Sequence, residues 1–179
     1  GEKDFFGGMV LIDKASKQGN EKAKAYMASE EFNSAKKKAE DLAKGKKLYE
    51  EKKVLEAANL GYPEAMGVMS RNCLMGENGF EVDHSKGFEW ATKAANEGDE
   101  SSMYSLGRCY SSGWGVAKNY VTALSWYERC KYKYPSPVFN NTGDIYRDGG
   151  HGVVQDYVKA VENYRKAIDL GCKYGTCSL

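Results

Sequence analysis

MYSLGRCYSSGWGVAKNYVTALSWYERC, residues 103 to 130, decides the fold of this chain. Met103, Leu106, Gly107 and Tyr110 fall at i, i+3, i+4 and i+7, which lines one face of an α-helix. Ser112-Gly113-Trp114-Gly115-Val116 then breaks the pattern with glycines, the residues that reach positive φ at no steric cost where a chain must double back. Asn119 is a helix-capping residue type, and Ala123, Trp126, Tyr127 and Cys130 resume the helical spacing behind it. The stretch reads as helix, turn, helix.

The unit recurs. Gly76 and Gly113 lie 37 residues apart and Trp90 and Trp126 lie 36 apart, the extra residue falling in Glu77-Asn78-Gly79. Gly113 and Gly149 are 36 apart and Ala123 and Ala160 are 37 apart, with the extra residue in Gly150-His151-Gly152. Self-similarity at a fixed period is the signature of stacked repeats. Three copies are predicted, at 62–98, 99–135 and 136–171, followed by a tail at 172–179, within one domain spanning 1–179. The first-helix stripe becomes Met66, Met69, Ser70 and Cys73 before the central copy and Phe139, Thr142, Gly143 and Tyr146 after it. A small residue in the third place lets the partner helix approach closely. The second helices carry Gly87, Trp90, Ala91 and Ala94, then Ala160, Asn163, Tyr164 and Ala167, behind the caps Asp83 and Asp156. Phe80, Val116 and Val153 are each expected to plug the space behind a turn. Gly98 and Gly171 are expected to close second helices at the left-handed C′ position, and Pro135 and Pro137 to stop the middle one. The fold class is all-α, an array of helix-turn-helix repeats of about 36 residues.

Upstream the pattern decays. Val54 to Gly61 matches the end of a second helix, Gly61 lying 37 residues before Gly98. Ser34 to Tyr49 is rich in the helix formers Lys, Glu and Ala, with Gly45 as a possible break. Val10 to Gly19 resembles another second-helix ending, after which Asn20 would cap a first helix running through Ala25, Tyr26 and Phe32. Residues 1–61 therefore read as one degenerate repeat and half of another.

The positions Leu106-Gly107, Tyr110, Gly113-Trp114-Gly115-Val116, Ala123 and Trp126-Tyr127 together resemble the Sel-like repeat (SLR), a two-helix relative of the tetratricopeptide repeat. Gly152-Val153, Asp156, Lys159-Ala160, Tyr164, Lys166-Ala167 and Gly171 carry the same resemblance in the third copy. It implies a right-handed α-solenoid whose first helices line the concave face. It also implies adaptor or scaffold work, since members of the family serve in membrane-protein quality control, mitochondrial enzyme assembly, bacterial signalling and host contact. One branch is secreted, stapled by disulfides, and includes β-lactam binders. Its bridging positions correspond here to Met66 and Ala95, Met103 and Lys131, and Phe139 and Ile168, none of them cysteine. A secreted ligand-binding or hydrolytic protein, or a host-contacting effector, stands as the alternative to an intracellular scaffold.

The remaining residues argue against chemistry. Lys and Arg number 26 against 25 Asp and Glu, a net charge of +1 that gives no field to select nucleic acid or an anionic membrane. Gly8 to Ile12, the apolar run near the start, is far short of the roughly 20 residues a membrane helix needs, and Gly1 is followed by charge instead of a secretion-signal core. Neither membrane insertion nor nucleic-acid binding is expected. Lys36 to Lys53 is lysine-rich, but its acidic residues interleave at helical spacing, as on a solvated helix. His84 and His151 read as exposed residues of inter-helix turns, since neither has a ligand or acid–base partner at a useful spacing. Gly113-Trp114-Gly115 lacks the preceding strand and third glycine of a dinucleotide loop. No catalytic residue, cofactor or metal is expected. Cys73, Cys109, Cys130, Cys172 and Cys177 are odd in number and irregularly spaced, which points to free thiols on half-buried helices and to a reducing compartment, cytoplasm or mitochondrion.

What differs between copies is left for function. Most of the thirteen tyrosines and three tryptophans occupy repeat positions and are expected in the core; Tyr104, Tyr132 and Tyr134 fall outside the stripes. Tyrosine and arginine are favoured interface anchors. Arg71, Tyr104, Arg108, Asn140 and Asp144 are expected to share one face of successive first helices and to contact a partner protein there. The last helix, with Tyr157, Val161, Tyr164 and Ile168, is expected to leave apolar surface for a partner or the chain's own tail, because a solenoid end without a polar capping repeat is uncovered. The whole reads as a non-enzymatic adaptor, assembly factor or accessory subunit within a hetero-oligomeric complex.

Overall fold

A computed structural model describes the backbone of residues 2–171 and the side chains of residues 7–171. Among the described residues ten helices follow one another: α1 (Glu2–Lys17), α2 (Glu21–Met27), α3 (Glu30–Glu50), α4 (Val54–Asn59), α5 (Pro63–Met75), α6 (His84–Asn96), α7 (Glu100–Ser112), α8 (Tyr120–Cys130), α9 (Pro135–Asp148) and α10 (Tyr157–Gly171). Among the described residues the sole strand-like pairing is an isolated bridge between Gly150 and Val153 inside a turn. The chain divides after Tyr62 into two compact units.

In the first unit Asn20 caps α2 as expected, its side chain accepting from the Ala23 N–H. That helix ends early, at Met27, because Ser29 caps a new one by accepting from the Phe32 N–H. Phe32 therefore belongs to α3, where it is buried. Gly45 does not break α3 either. It is buried mid-helix, and a Cβ there would come within 2.8 Å of the Tyr62 Cβ, so the glycine is a close-packing site for the segment after α4.

The second unit is built from three hairpins, α5–α6, α7–α8 and α9–α10, stacked in chain order. Asp83, Asn119 and Asp156 cap α6, α8 and α10 through the N–H groups of Lys86, Thr122 and Lys159. Gly113 has φ +80, as the turn requires, and Gly98 has φ +93 beyond α6. Inside each hairpin the small first-helix residue receives a side chain. Tyr127 lies against Gly107, and a Cβ on Gly143 would stand 2.6 Å from the Tyr164 ring. In the first hairpin the hydroxyl of Ser70 instead donates to the Gly87 carbonyl at 2.9 Å, in a buried contact.

Stacking uses a second buried stripe that the periodicity did not single out. Ala65, Ser102 and Val138 occupy equivalent places in α5, α7 and α9, as do Asn72, Cys109 and Ile145, and all six are buried. Val138 and Ile145 join Tyr120, Tyr127 and Cys130 of the preceding hairpin in one core cluster. α7 and α9 thus each pack two ways: on their own second helix and on the hairpin before them. Phe139 and Tyr146, expected as core, are only half-buried, with Lys166 and Lys159 over their rings.

Several local expectations are corrected. The prolines do not stop α8, which ends at Cys130; Pro135 opens α9, where its missing N–H costs nothing. Gly171 is the buried last residue of α10, not a left-handed cap after it. Phe80 is 37% exposed and does not plug its turn, whereas Val153 packs on the core. Trp90 and Trp126 are half-buried at the hairpin surface under Lys93 and Arg129. Tyr104 and Tyr134, placed outside the core from sequence, stack on one another with ring centroids 5.5 Å apart and pack against the core cluster. The tail at 172–179, with Cys172 and Cys177, lies outside the described residues.

Candidate protein-binding surface

The turns hold neighbouring hairpins in register. Trp114, from the second turn, stacks on His84 at the start of α6, with ring centroids 5.1 Å apart and planes 19° from parallel. Gly115, at φ +70, presses its backbone onto the His84 carbonyl so closely that no side chain would fit. One hairpin further on, the Tyr120 N–H donates to the His151 carbonyl at 3.1 Å and its ring meets that of His151. Both histidines are therefore used in stacking; His84 is half-buried, correcting the expectation of an exposed turn residue, while the His151 side chain is exposed.

Between α7 and α9 this arrangement leaves a groove of about 450 Å³. Arg108, Ser111 and Ser112 of α7 form one wall, and Asn141, Asp144, Arg147 and Asp148 of α9 the other, with Trp114, Lys118 and Tyr120 at the end nearest the turn. A hydrogen-bond network fixes its base: the Asn141 amide donates to the hydroxyls of Tyr104 and Tyr127, each at 3.2 Å, and Ser111 lies 3.2 Å from the Tyr127 hydroxyl. The network joins α7, α8 and α9. Burial pushes the Tyr127 hydroxyl far above the usual phenol range, so it stays protonated.

The α9 wall is internally paired, a single guanidinium being shared by two carboxylates, which leaves it net negative. Arg147 donates to Asp144 and to Asp148, each at 2.8 Å, and these carboxylates hold its pKa up, the Asp148 hydrogen bond foremost. Tyr164 donates to Asp144 at 2.7 Å, and its own hydroxyl is pushed up to about 12, chiefly by burial. At the other wall Arg108 lies 4.7 Å from the Trp114 ring centroid.

Of the residues expected on this face, Arg108 and Asp144 line the groove together. Tyr104 is taken up by its stacking and the Asn141 hydrogen bond beneath it. Asn140 is exposed, and Arg71, also exposed, pairs with Glu77 at 3.9 Å. The sequence reading missed Asn141, Lys118 and Arg147. Arg147 carried a legible signal, since it follows Asp144 by one helical turn. At the far end, Tyr157, Val161 and Ile168 of α10 are 63%, 47% and 49% exposed, joined by Val158 at 71%. Tyr164 is not part of that surface, because it turns inward onto Gly143 and Asp144.

Cys73, Cys109 and Cys130 are free thiols and buried, deeper than expected. Burial pushes Cys109 up to about 12 and Cys130 up to about 11, leaving both inert as nucleophiles at neutral pH. No helix among the described residues is long and apolar enough to cross a membrane.

The Sel1 repeat family model matches residues 63–99, 100–129 and 140–172, more than half of the chain and all three hairpins. The chain belongs to the Sel1 repeat family. Its Sel1 repeats are similar in structure to a Sel1 repeat protein from Oxalobacter formigenes, with a TM-score of 0.55 and 30% identity over 67% of this chain and 90% of that one. They are also similar in fold to c5321, a protective antigen of uropathogenic Escherichia coli with an SLR fold, at TM-score 0.57 and 24% identity over 91% of this chain and 33% of that one. In sequence the chain is similar to the chitin synthase regulator SKT5 of Saccharomyces cerevisiae, 34% identical over 96 residues, which are 53% of this chain and only 14% of the yeast protein. The α-solenoid implied by the resemblance is thus the fold of the three hairpins from Pro63 onward. The family's model begins to match at residue 63, where the second compact unit begins.

Proposed function

We propose that this chain is a non-enzymatic scaffold that holds a protein partner along the first helices of its Sel1 repeats, as an adaptor, assembly factor or accessory subunit of a hetero-oligomeric complex. The observation that carries this reading is the groove between α7 and α9, open, polar and lined by side chains that differ from copy to copy, on a framework fixed by residues that recur. Repeat arrays bind along such extended faces because each hairpin presents its variable positions at a constant spacing. The yeast relative is by name a regulator of another enzyme, which supports a role exercised through a protein partner. The uncovered stripe Tyr157, Val161 and Ile168 on α10 would extend the contact at the C-terminal end, apolar side chains that stay in water being a common mark of an interface. Buried free thiols suit a reducing compartment such as the cytoplasm or mitochondrion.

Crosslinking mass spectrometry on the native source tests this. Crosslinks from one partner protein to residues of α7, α9 and α10 are the expected result. A chain that yields no intermolecular crosslinks, or hydrolyses a substrate through residues of the groove, would overturn it.

A further inference from the structure

Arg71, Arg108 and Asp144 occupy the same position in α5, α7 and α9, and their surroundings differ in one respect. Arg71 has Glu77 at 3.9 Å. Asp144 has Arg147 at 2.8 Å. Arg108 has no carboxylate within ion-pair distance among the described residues, because the place equivalent to Glu77 is taken by Trp114 and that equivalent to Arg147 by Ser111. The Trp114 ring beneath its guanidinium orients the charge without neutralising it. Lys118, which lines the same groove, likewise has no acidic partner among the described residues. The groove therefore carries two cations without an acidic partner, Arg108 and Lys118, facing an α9 wall whose charges are paired with one another.

We propose that Arg108 and Lys118 receive a carboxylate side chain from an acidic segment of the partner protein. The proposal rests on the scaffold reading and names the chemistry of its partner. A half-buried, preoriented guanidinium binds a carboxylate through paired N–H donors better than a free arginine does, and a nearby ammonium adds charge without demanding geometry. The groove's volume of about 450 Å³ admits a side chain and a short stretch of extended backbone. Asn141 and Ser111 at its base offer polar contacts to that backbone.

The test is an NMR titration of the full isotope-labelled chain with a blocked eight-residue peptide carrying two adjacent glutamates, with its glutamine counterpart, and with inorganic phosphate. The expected result is that the glutamate peptide shifts the Trp114 indole N–H and the Arg108 side-chain N–H, and the glutamine peptide does not. Arg108→Gln and Lys118→Gln should each weaken the glutamate peptide by about tenfold or more, and added salt should weaken it in the wild type. Lys22→Gln on α2, which removes the same charge elsewhere, should leave binding unchanged. Lys118 is exposed, so its variant folds whatever Arg108→Gln does. Equal shifts from both peptides, phosphate acting as strongly as the glutamate peptide, or full binding by Lys118→Gln would overturn the proposal. Crosslinking of the Arg108→Gln chain in the native source separates the two readings. Undiminished partner crosslinks at α7 and α9 would sink the carboxylate site alone, whereas a wild-type chain with no partner would sink both.

Discussion

The ring of Tyr127 fills the space in which a Cβ of Gly107 would stand. A residue of α8 and one of α7 are thereby locked together at the centre of the array, and the Tyr127 hydroxyl reaches on to Ser111 and to Asn141 of the next hairpin. The contact sets both the closeness of the hairpin and the base of the groove.

Gly107→Ala should therefore destabilise the chain. Forcing extra volume into a packed site costs about 1–3 kcal/mol, and the better helix propensity of alanine returns at most about 1 kcal/mol, so a net loss is expected. Gly143→Ala should cost less, because Tyr164 is only half-buried and its ring has room to move outward. Urea unfolding of the two variants beside the wild type checks the order.

A second pair separates backbone strain from close approach. Gly98 and Gly115 both have positive φ, but a Cβ on Gly98 meets nothing, whereas on Gly115 it would overlap the His84 carbonyl. Gly98→Ala should cost about 1 kcal/mol, from the left-handed conformation alone. Gly115→Ala should cost more and weaken the seat of Trp114 on His84. The difference between their unfolding midpoints measures the inter-hairpin contact.

Alkaline pH should unfold the array through its buried thiols. Cys109 is raised to about 12 and Cys130 to about 11 in the folded chain. A raised folded pKa leaves stability intact below the unfolded thiol's ordinary value near 9 and removes it as pH climbs toward the folded value. Each thiol should then cost up to about 1.4 kcal/mol per pH unit in that window. Urea midpoints measured at pH 8 and pH 10 test this, and Cys109→Ala should flatten the dependence.

The exposed face of α10 should tolerate polar substitution. Tyr157→Ser and Val161→Ser should change stability by no more than about 0.5 kcal/mol, since both residues are already exposed. Tyr164→Phe should cost about 1 kcal/mol, through the lost hydrogen bond to Asp144. Thermal melts of the three variants would show whether inward and outward residues of this helix separate in this way.

The three hairpins, their caps and their turn glycines were legible because each depends on local chemistry: Asp83, Asn119 and Asp156 cap by reaching N–H groups three residues ahead. The candidate surface was legible in part. Arg108 and Asp144 could be placed on one face by counting, but Asn141 and Lys118 line the groove because two hairpins pack side by side, which no single period records. The same limit hid the second stripe, Val138 and Ile145, whose burial comes from the hairpin before them. It also misassigned Tyr104, whose exposure as an isolated helix residue disappears under Tyr134.

Met103 to Cys130, by itself, determined that the chain folds as helix, turn and helix, and its copies determined that such units stack. That follows from backbone physics, since glycine, cap and apolar period act within a few residues of one another. Only the tertiary structure decided which charges were left over. Asp144 found Arg147 one helical turn on, as counting could show, whereas Arg71 found Glu77 beyond the end of α5 and Arg108, at the equivalent place, met the Trp114 ring, because outside a helix a side chain's partner is chosen by distance in space.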